Sequence, residues 1–380
     1  MSYDKGLSSE KIELVHSGDD YFSRLITIVA LAKSEIHLQT YIFDNDSTGI
    51  KIANALKEAA LRHVKVYVLL DAYGSFSLTQ QFINDLRQTG IHIRFFSPFL
   101  AANSFYIGRR LHHKVVVVDG YIALIGGINI ADKYRGNTLN VPWLDYAVQI
   151  ESSLIGEQLQ ELCRNIYFKK KKLKELLMPS FPSQKDVFIR IIRNDWLHNT
   201  QDIYDSYIKY SRAAQNEIII VGSYFLPSRK FKNVLKKAAI RGVKVTLILS
   251  GISDIPLARR AACYLYSSLL KHNIELYEWH KSVLHGKAAV VDRNWTTIGS
   301  FNLNHLSSYG SIEMNVAINS AEFSSAFAQH LETVIAQSEK ITHHTLETRS
   351  GIVTKFINWL AYRFVRIMLI IVTYFPYKRF

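Results

Sequence analysis

His112-His113-Lys114-Val115-Val116-Val117-Val118-Asp119, with Gly126-Gly127-Ile128-Asn129 after it, is matched by His285-Gly286-Lys287-Ala288-Ala289-Val290-Val291-Asp292, with Gly299-Ser300-Phe301-Asn302 after it. Both copies read His-x-Lys, four residues, Asp, six residues, Gly-[Gly/Ser]-x-Asn. A lone His-x-Lys is usually a solvated pair on a strand edge. Two copies with every spacing kept mark a duplicated catalytic module, and its residue types suit phosphate esters.

Each apolar run, Val115 to Val118 or Ala288 to Val291, reads as a buried strand. His and Lys two residues apart project from the same face of such a strand. The Gly-[Gly/Ser]-x-Asn tail allows close backbone approach and supplies short polar donors, so Gly127, Asn129, Ser300 and Asn302 are candidate phosphate-binding residues. Two such units bring two imidazoles and two ammonium groups to one place. One neutral imidazole attacks phosphorus while the other, protonated, serves the leaving oxygen; with unperturbed values near 6.5, both forms are accessible at neutral pH. Lys114 and Lys287 would hold the non-bridging oxygens. No carboxylate cluster suggests a metal pair, so neither metal nor cofactor is expected. Asp119 and Asp292 complete the motifs, and their place at a turn predicts that they hold that turn rather than react. His113 and His63 are expected to face away from the site.

The repeat is wider than the motif. Lys57 to Leu70 matches Lys236 to Leu249, each a helix running into a buried strand. Glu35-Ile36 into Tyr41 corresponds to Glu217-Ile218 into Tyr224, and Gly90 to Phe95 corresponds to Asn273 to Tyr277. Each half alternates strands and helices before the catalytic strand and its hairpin partner, Tyr121 to Ile125 or Trp295 to Ile298. That alternation predicts α/β layers around a mixed sheet.

On these motifs the chain resembles the phospholipase D superfamily with two HKD motifs, most closely its bacterial cardiolipin synthases, over residues 10 to 335. Further matches are Tyr41-Ile42-Phe43 with Asp46 and Gly49, Trp143-Leu144-Asp145, Tyr224-Phe225-Leu226-Pro227, and Asn302-Leu303 with Ser307 and Glu313. The Leu-His-Gly-Lys form of the second motif resembles the shorter subtype without an N-terminal anchor. Ser311 stands where synthases often carry Asn, and Leu306 where many family members carry Arg.

The resemblance implies two phospholipase D-like domains about a pseudo-twofold axis, with the site at their interface. It implies a nucleophilic His112, a proton-donating His285, and Asp145 and Glu313 as the acids that orient the histidines. The implied reaction is phosphatidyl transfer between two phosphatidylglycerol molecules, giving cardiolipin and glycerol through a phosphohistidine. Hydrolysis to phosphatidic acid is the alternative, and a nuclease a more distant one. No nucleic-acid partner is expected.

The chain has 380 residues, is 48% hydrophobic and carries 46 basic against 32 acidic residues, a net charge of +14. That length suits two domains, and the charge favours a polyanionic partner such as an anionic membrane surface. Met1 to Glu10 lacks an apolar h-region, so no secretory signal is expected. Cys163 and Cys263 lie in helix-like segments without metal spacing and read as reduced thiols. The expected division is a first domain over 1–170, a linker over 171–185, a second domain over 186–350 and a tail over 351–380. Lys169 to Lys172, with Pro179 and Pro182, reads as a solvated helix end and linker.

In the tail the uninterrupted apolar part, Ile367 to Pro376, is about half of the roughly 20 residues a span needs. Arg363 and Arg366 inside a span would each cost roughly 2.5–3.5 kcal/mol at its centre. An interfacial helix is therefore expected, rather than a span or a helix packed on the protein, placing the chain peripherally on the cytoplasmic side of the cell membrane. Phe43 to Thr48 imitates an aspartate-nucleophile phosphatase and a calcium loop. Ala55 stands where the loop's bidentate Glu must be, so a turn capping the next helix through Asp46 or Ser47 is expected instead.

Overall fold

The structure, a computed structural model, describes residues 11–97, 110–169, 181–182, 187–195, 200–349 and 351–374. The expected linker lies mostly outside the described residues, as do Met1 to Glu10 and the end of the tail from residue 375.

The first half opens with β1 (Lys11–His16), α1 (Asp19–Leu31), β2 (Glu35–Thr40), α2 (Ser47–Leu61) and β3 (Lys65–Asp71). There follow α3 (Gln80–Gln88), β4 (His92–Phe96), β5 (Arg110–Leu111), β6 (Lys114–Val118) and β7 (Ile122–Gly126). It closes with α4 (Asp132–Arg135), β8 (Tyr146–Glu151) and α5 (Ser153–Tyr167). The second half starts with β9 (Phe181–Pro182), β10 (Phe188–Asp195), β11 (Thr200–Gln201), α6 (Asp202–Ala213) and β12 (Glu217–Gly222). It continues through α7 (Arg229–Ile240), β13 (Lys244–Ser250), α8 (Pro256–Leu270), β14 (Glu275–Trp279), β15 (Lys287–Val291) and β16 (Trp295–Gly299). Last come α9 (His305–Tyr309), β17 (Ser311–Asn319), α10 (Ala321–Ala336), β18 (Glu339–Ile341), α11 (His343–Arg349) and α12 (Ile352–Tyr374).

The first sheet runs β1-β8-β7-β6-β2-β3-β4, and the second carries the same order as β10-β17-β16-β15-β12-β13-β14. In both, three strands are parallel and the catalytic strand joins them antiparallel, so each sheet is mixed. The short strand β5 leaves the first half and pairs with β17 of the second.

Strand periodicity explains the layers. Val116 and Val118 point into a core with α1 and α2, while Val115 and Val117 point into a core shared with the other half. The second motif repeats this: Ala289 and Val291 face one way, and Ala288 and Val290 enter the shared core. A sheet buried on both faces needs the near-continuous apolar runs seen in the sequence.

Asp119 and Asp292 pin the turns that end the two catalytic strands. The Asp119 carboxylate accepts the backbone N–H groups of Lys33, Ser34 and Glu35, and that of Asp292 accepts those of Gln215, Asn216 and Glu217. Both residues hold positive φ, 52° and 50°, which Asp tolerates better than most residues. Asp46 caps α2 by accepting Gly49 N–H at 2.9 Å, and its other oxygen accepts Asp132 N–H.

The tail helix α12 packs on α8 with an inverted face. Thr354, Asn358, Val365 and Leu369 are half-buried and Ala361 and Tyr362 are buried, the last with its ring 4.7 Å from that of Tyr264. The opposite side exposes Phe356, Ile357, Leu360, Phe364, Ile367, Met368 and Ile371. Periodicity alone predicts one polar face through Lys355, Trp359, Tyr362, Arg363 and Arg366. In the structure Tyr362 leaves that set for the protein, and the more apolar side stays outward. Among the described residues no helix is long and apolar enough to cross a membrane.

Candidate active site

The two motif histidines meet because each half lends the other a strand edge. The N–H groups of His112 and His113 both donate to Ile312 O at 3.0 Å, and those of His285 and Gly286 donate to Leu144 O at 2.8 and 2.9 Å. Ile312 and Leu144 each stand one residue before an acid. His112 therefore receives Glu313, Nδ1 to Oε2 at 2.9 Å, and His285 receives Asp145, Nδ1 to Oδ2 at 2.6 Å. Both carboxylates are buried completely. The acids are equivalent by register: Gly126 pairs Ala147 and Gly299 pairs Asn315, which puts Asp145 and Glu313 each two residues earlier.

With Nδ1 held by a carboxylate, each imidazole keeps Nε2 for chemistry. Burial and the charge of Lys287 and Lys114 hold His285 well below its usual value. Burial also lowers His112, against the raising effect of Glu313. Burial, and for Lys114 the charge of Lys287, bring Lys114 down to about 7 and Lys287 down to about 8. Burial raises Asp145 to about 6 against the pull of Lys287. Lys114 Nζ donates to His112 O at 2.5 Å, and Lys287 donates to His285 O. Two buried ammonium groups beside two buried imidazoles are a costly arrangement that a bound anion relieves.

The candidate phosphate residues have other partners here. Asn129 is wholly buried; its amide oxygen accepts Ile42 N–H and its nitrogen donates to Tyr134 OH. Ser300 is wholly buried and its hydroxyl donates to Glu313 Oε2 at 2.5 Å. A Cβ on Gly127 would lie 2.3 Å from Asp145 Oδ1, so that glycine makes room for the carboxylate. Gly127 and Ser300 thus lie against Asp145 and Glu313, and Asn129 joins Ile42 to Tyr134. Asn302, whose oxygen accepts from Ser223, keeps an amide nitrogen without a partner among the described residues.

Several neighbours lie outside the duplicated His-x-Lys motif. Tyr134 OH lies 3.4 Å from His285 Nε2, and Trp143 and Tyr224 bring rings to 5.9 and 6.4 Å from that imidazole. Tyr224 OH donates to Asp254. His112 has the Tyr41 ring at 5.0 Å and is the more open of the two, its side chain 15% exposed against 7% for His285. Tyr41 and Tyr224 stand out in the sequence as equivalent residues, whereas Tyr134 has no tyrosine counterpart and so no repeat signal. His113 points away, wholly buried with Nε2 at 2.9 Å from Gln39 Oε1, and burial holds it down at about 3. Among the described residues, no group of three or more His, Cys, Asp or Glu side chains is placed to hold a metal ion.

The family model described as "Cardiolipin synthase, PLD-like domain" matches residues 25–164 and 207–335. Cardiolipin synthase B of Shigella flexneri is 34% identical over 337 residues, covering 86% of this chain and 80% of its own. The Escherichia coli (strain K12) cardiolipin synthase B is 33% identical with the same coverage. The minor cardiolipin synthase of Bacillus subtilis (strain 168) is 29% identical over 92% of this chain and 88% of its own. The crystal structure of phosphatidylserine synthase from Haemophilus influenzae superposes with a TM-score of 0.76 at 15% identity, covering 95% of this chain and 94% of its own, a likeness of fold.

Proposed function

The chain belongs to the family of cardiolipin synthases with PLD-like domains, and from that premise we propose that it condenses two phosphatidylglycerol molecules into cardiolipin and glycerol. The observation that supports this best is the pair of histidines, each oriented by an acid from the other half, with a buried lysine bonded to the carbonyl of each.

In this reading His112 Nε2 attacks the phosphorus of the first lipid and the bond to the head-group glycerol breaks. His285 Nε2–H gives its proton to the departing alkoxide, leaving a phosphatidyl-histidine. The charge of the bound phosphodiester offsets the lysine charges that disfavour protonated His285, readying it as an acid. A hydroxyl of the second phosphatidylglycerol then attacks, His285 takes up its proton, and cleavage of the P–N bond frees cardiolipin and restores His112. The greater openness of His112 supports it as nucleophile, and the aromatic packing of His285 suits a group that only moves a proton. Lys114 and Lys287 hold the non-bridging oxygens. One phosphodiester forms for each one broken, so no nucleotide is needed.

The protein works on a membrane, held peripherally at the cytoplasmic face by α12. The outward apolar side of that helix, bordered by Lys355, Arg363 and Arg366, has the form of an interfacial helix on anionic lipid. Mass analysis of lipids after incubation with phosphatidylglycerol in detergent tests the reading: cardiolipin is expected. Phosphatidic acid alone would make the protein a hydrolase, and no lipid product would refute the assignment.

A further inference from the structure

Two loops at equivalent places carry exposed apolar side chains that nothing in the catalytic scheme uses. One leaves the C-terminal end of β3 and exposes Tyr73 (49%) and Phe76 (82%); the other leaves the C-terminal end of β13 and exposes Ile252 (46%) and Ile255 (47%), with Leu257 following at the start of α8. Both are fastened beside a histidine. Ser75 Oγ donates to Tyr41 O, and the Tyr41 ring lies against His112. Asp254, between Ile252 and Ile255, accepts the hydroxyl of Tyr224, whose ring faces His285. The loops therefore stand on opposite rims of one site, at the carboxyl ends of the parallel strands.

A third apolar element borders the same site. Arg366 and Leu369 of α12 line a cleft with Leu226, Leu303 and Asn304, the segments that follow Tyr224 and Asn302. Three cations beside these elements rest on aromatic rings: Lys133 over Trp143 at 4.9 Å, Arg363 over Trp359 at 5.8 Å and Arg366 over Tyr362 at 5.5 Å. None of the three has a carboxylate partner among the described residues. Apolar tips interleaved with unpaired cations complement one surface, an anionic bilayer, where the tips enter below the head groups and the cations lie at phosphate level.

We infer that the loops around Phe76 and Ile252 are paired membrane-inserting tips which, with the outer side of α12, seat the mouth of the site on the leaflet. His112 and His285 then face phosphodiesters at head-group depth, and transfer takes place between lipids that stay in the leaflet. This rests on the proposed lipid substrate, and it adds a defined orientation that the tail helix alone does not impose.

The test uses the full chain with an environment-sensitive fluorophore on Phe76→Cys or Ile252→Cys, each with Cys263→Ser; Cys163 is wholly buried and stays unlabelled. A control label on Leu61→Cys, 69% exposed, precedes the amino end of β3, whereas the Phe76 loop follows its carboxyl end. With vesicles of phosphatidylcholine and phosphatidic acid, both tip labels should shift to apolar emission and the control should not. Tip labels that stay in water while the protein sediments with vesicles would overturn the inference, as would insertion of the control. Phe76→Ser and Ile252→Ser should each lose roughly tenfold in turnover of vesicle phosphatidylglycerol and little with a short-chain, monomeric one; equal turnover of both substrates would overturn it too. If the labels insert but the unmodified protein turns over neither lipid, the catalytic assignment fails and the membrane surface stands.

Discussion

Replacing Asp145 by Asn keeps the shape of the side chain and removes the charge that fixes His285. The native contact runs from imidazole Nδ1 to Oδ2 at 2.6 Å in a fully buried setting. An amide nitrogen turned toward Nδ1 would donate to it, moving the imidazole proton to Nε2 and stabilising no imidazolium. In a serine protease the equivalent change costs on the order of 10⁴ in turnover, about 5.5 kcal/mol of barrier. A loss of about 10³ to 10⁴ is expected here. The fold should not suffer: a carboxyl raised from 3.8 to about 6 carries about 3 kcal/mol of penalty when ionised, so the melting temperature should hold or rise. The exchange of acids between halves sharpens the test. In the proposed mechanism Asp145 serves the proton-transferring His285, so Asp145→Asn should still build phosphatidyl-enzyme from a p-nitrophenyl ester, whose leaving group needs no proton. Glu313→Gln, which touches His112, should slow that burst. Rapid-quench measurement of p-nitrophenol release separates the two. Loss of the burst in Asp145→Asn with retention in Glu313→Gln would refute the cross-pairing of roles, and activity within tenfold of the unmodified protein in both would refute the role of the acids.

Lys114→Ala and Lys287→Ala should each lose about 10²–10³ in turnover, roughly 3–4 kcal/mol, with melting temperatures kept; near-native rates in both would mean that the lysines do not hold phosphate. Because Lys114 lies at about 7 and Lys287 at about 8, kcat/KM should fall as pH rises through 7 to 8, and a flat profile to pH 9 would contradict this. The unfolded chain holds more protons than the folded one between about pH 7 and 10.5, so stability to urea should rise with pH across that window. In the proposed mechanism Lys114 and Lys287 neutralise the phosphate, so a chelator should leave the rate unchanged; inhibition reversed by magnesium would count against it. Deleting residues 351–380 should release the protein from anionic vesicles while sparing short-chain turnover, and undiminished sedimentation would show that α12 is not the anchor.

Much of this was legible in the sequence because the repeat preserves spacing. Matched motif spacings predict matched strands, and seven strands of each sheet keep one order. The turn role of Asp119 and Asp292 follows from residue type and position, and their carboxylates do bind the start of β2 and of β12. The partner of each histidine was not legible. Nearness in sequence gives no sign that Asp145 serves His285 and Glu313 serves His112, because that depends on β5 crossing to the second sheet and on the bridge between Leu144 and Leu284. Nor does composition reveal that Ser300 props Glu313 where Gly127 yields to Asp145. The docking side of α12 stayed hidden because periodicity locates a polar face without saying which side meets protein.

The most direct measurement is the site of covalent attachment. Brief reaction with phosphatidylglycerol labelled in its phosphate, alkaline quench and peptide mapping should place an acid-labile, base-stable label on His112. The label should disappear when excess unlabelled phosphatidylglycerol is added and reappear in cardiolipin. Label confined to His285 would exchange the two roles, and cardiolipin formed without any histidine adduct would contradict the two-step mechanism itself.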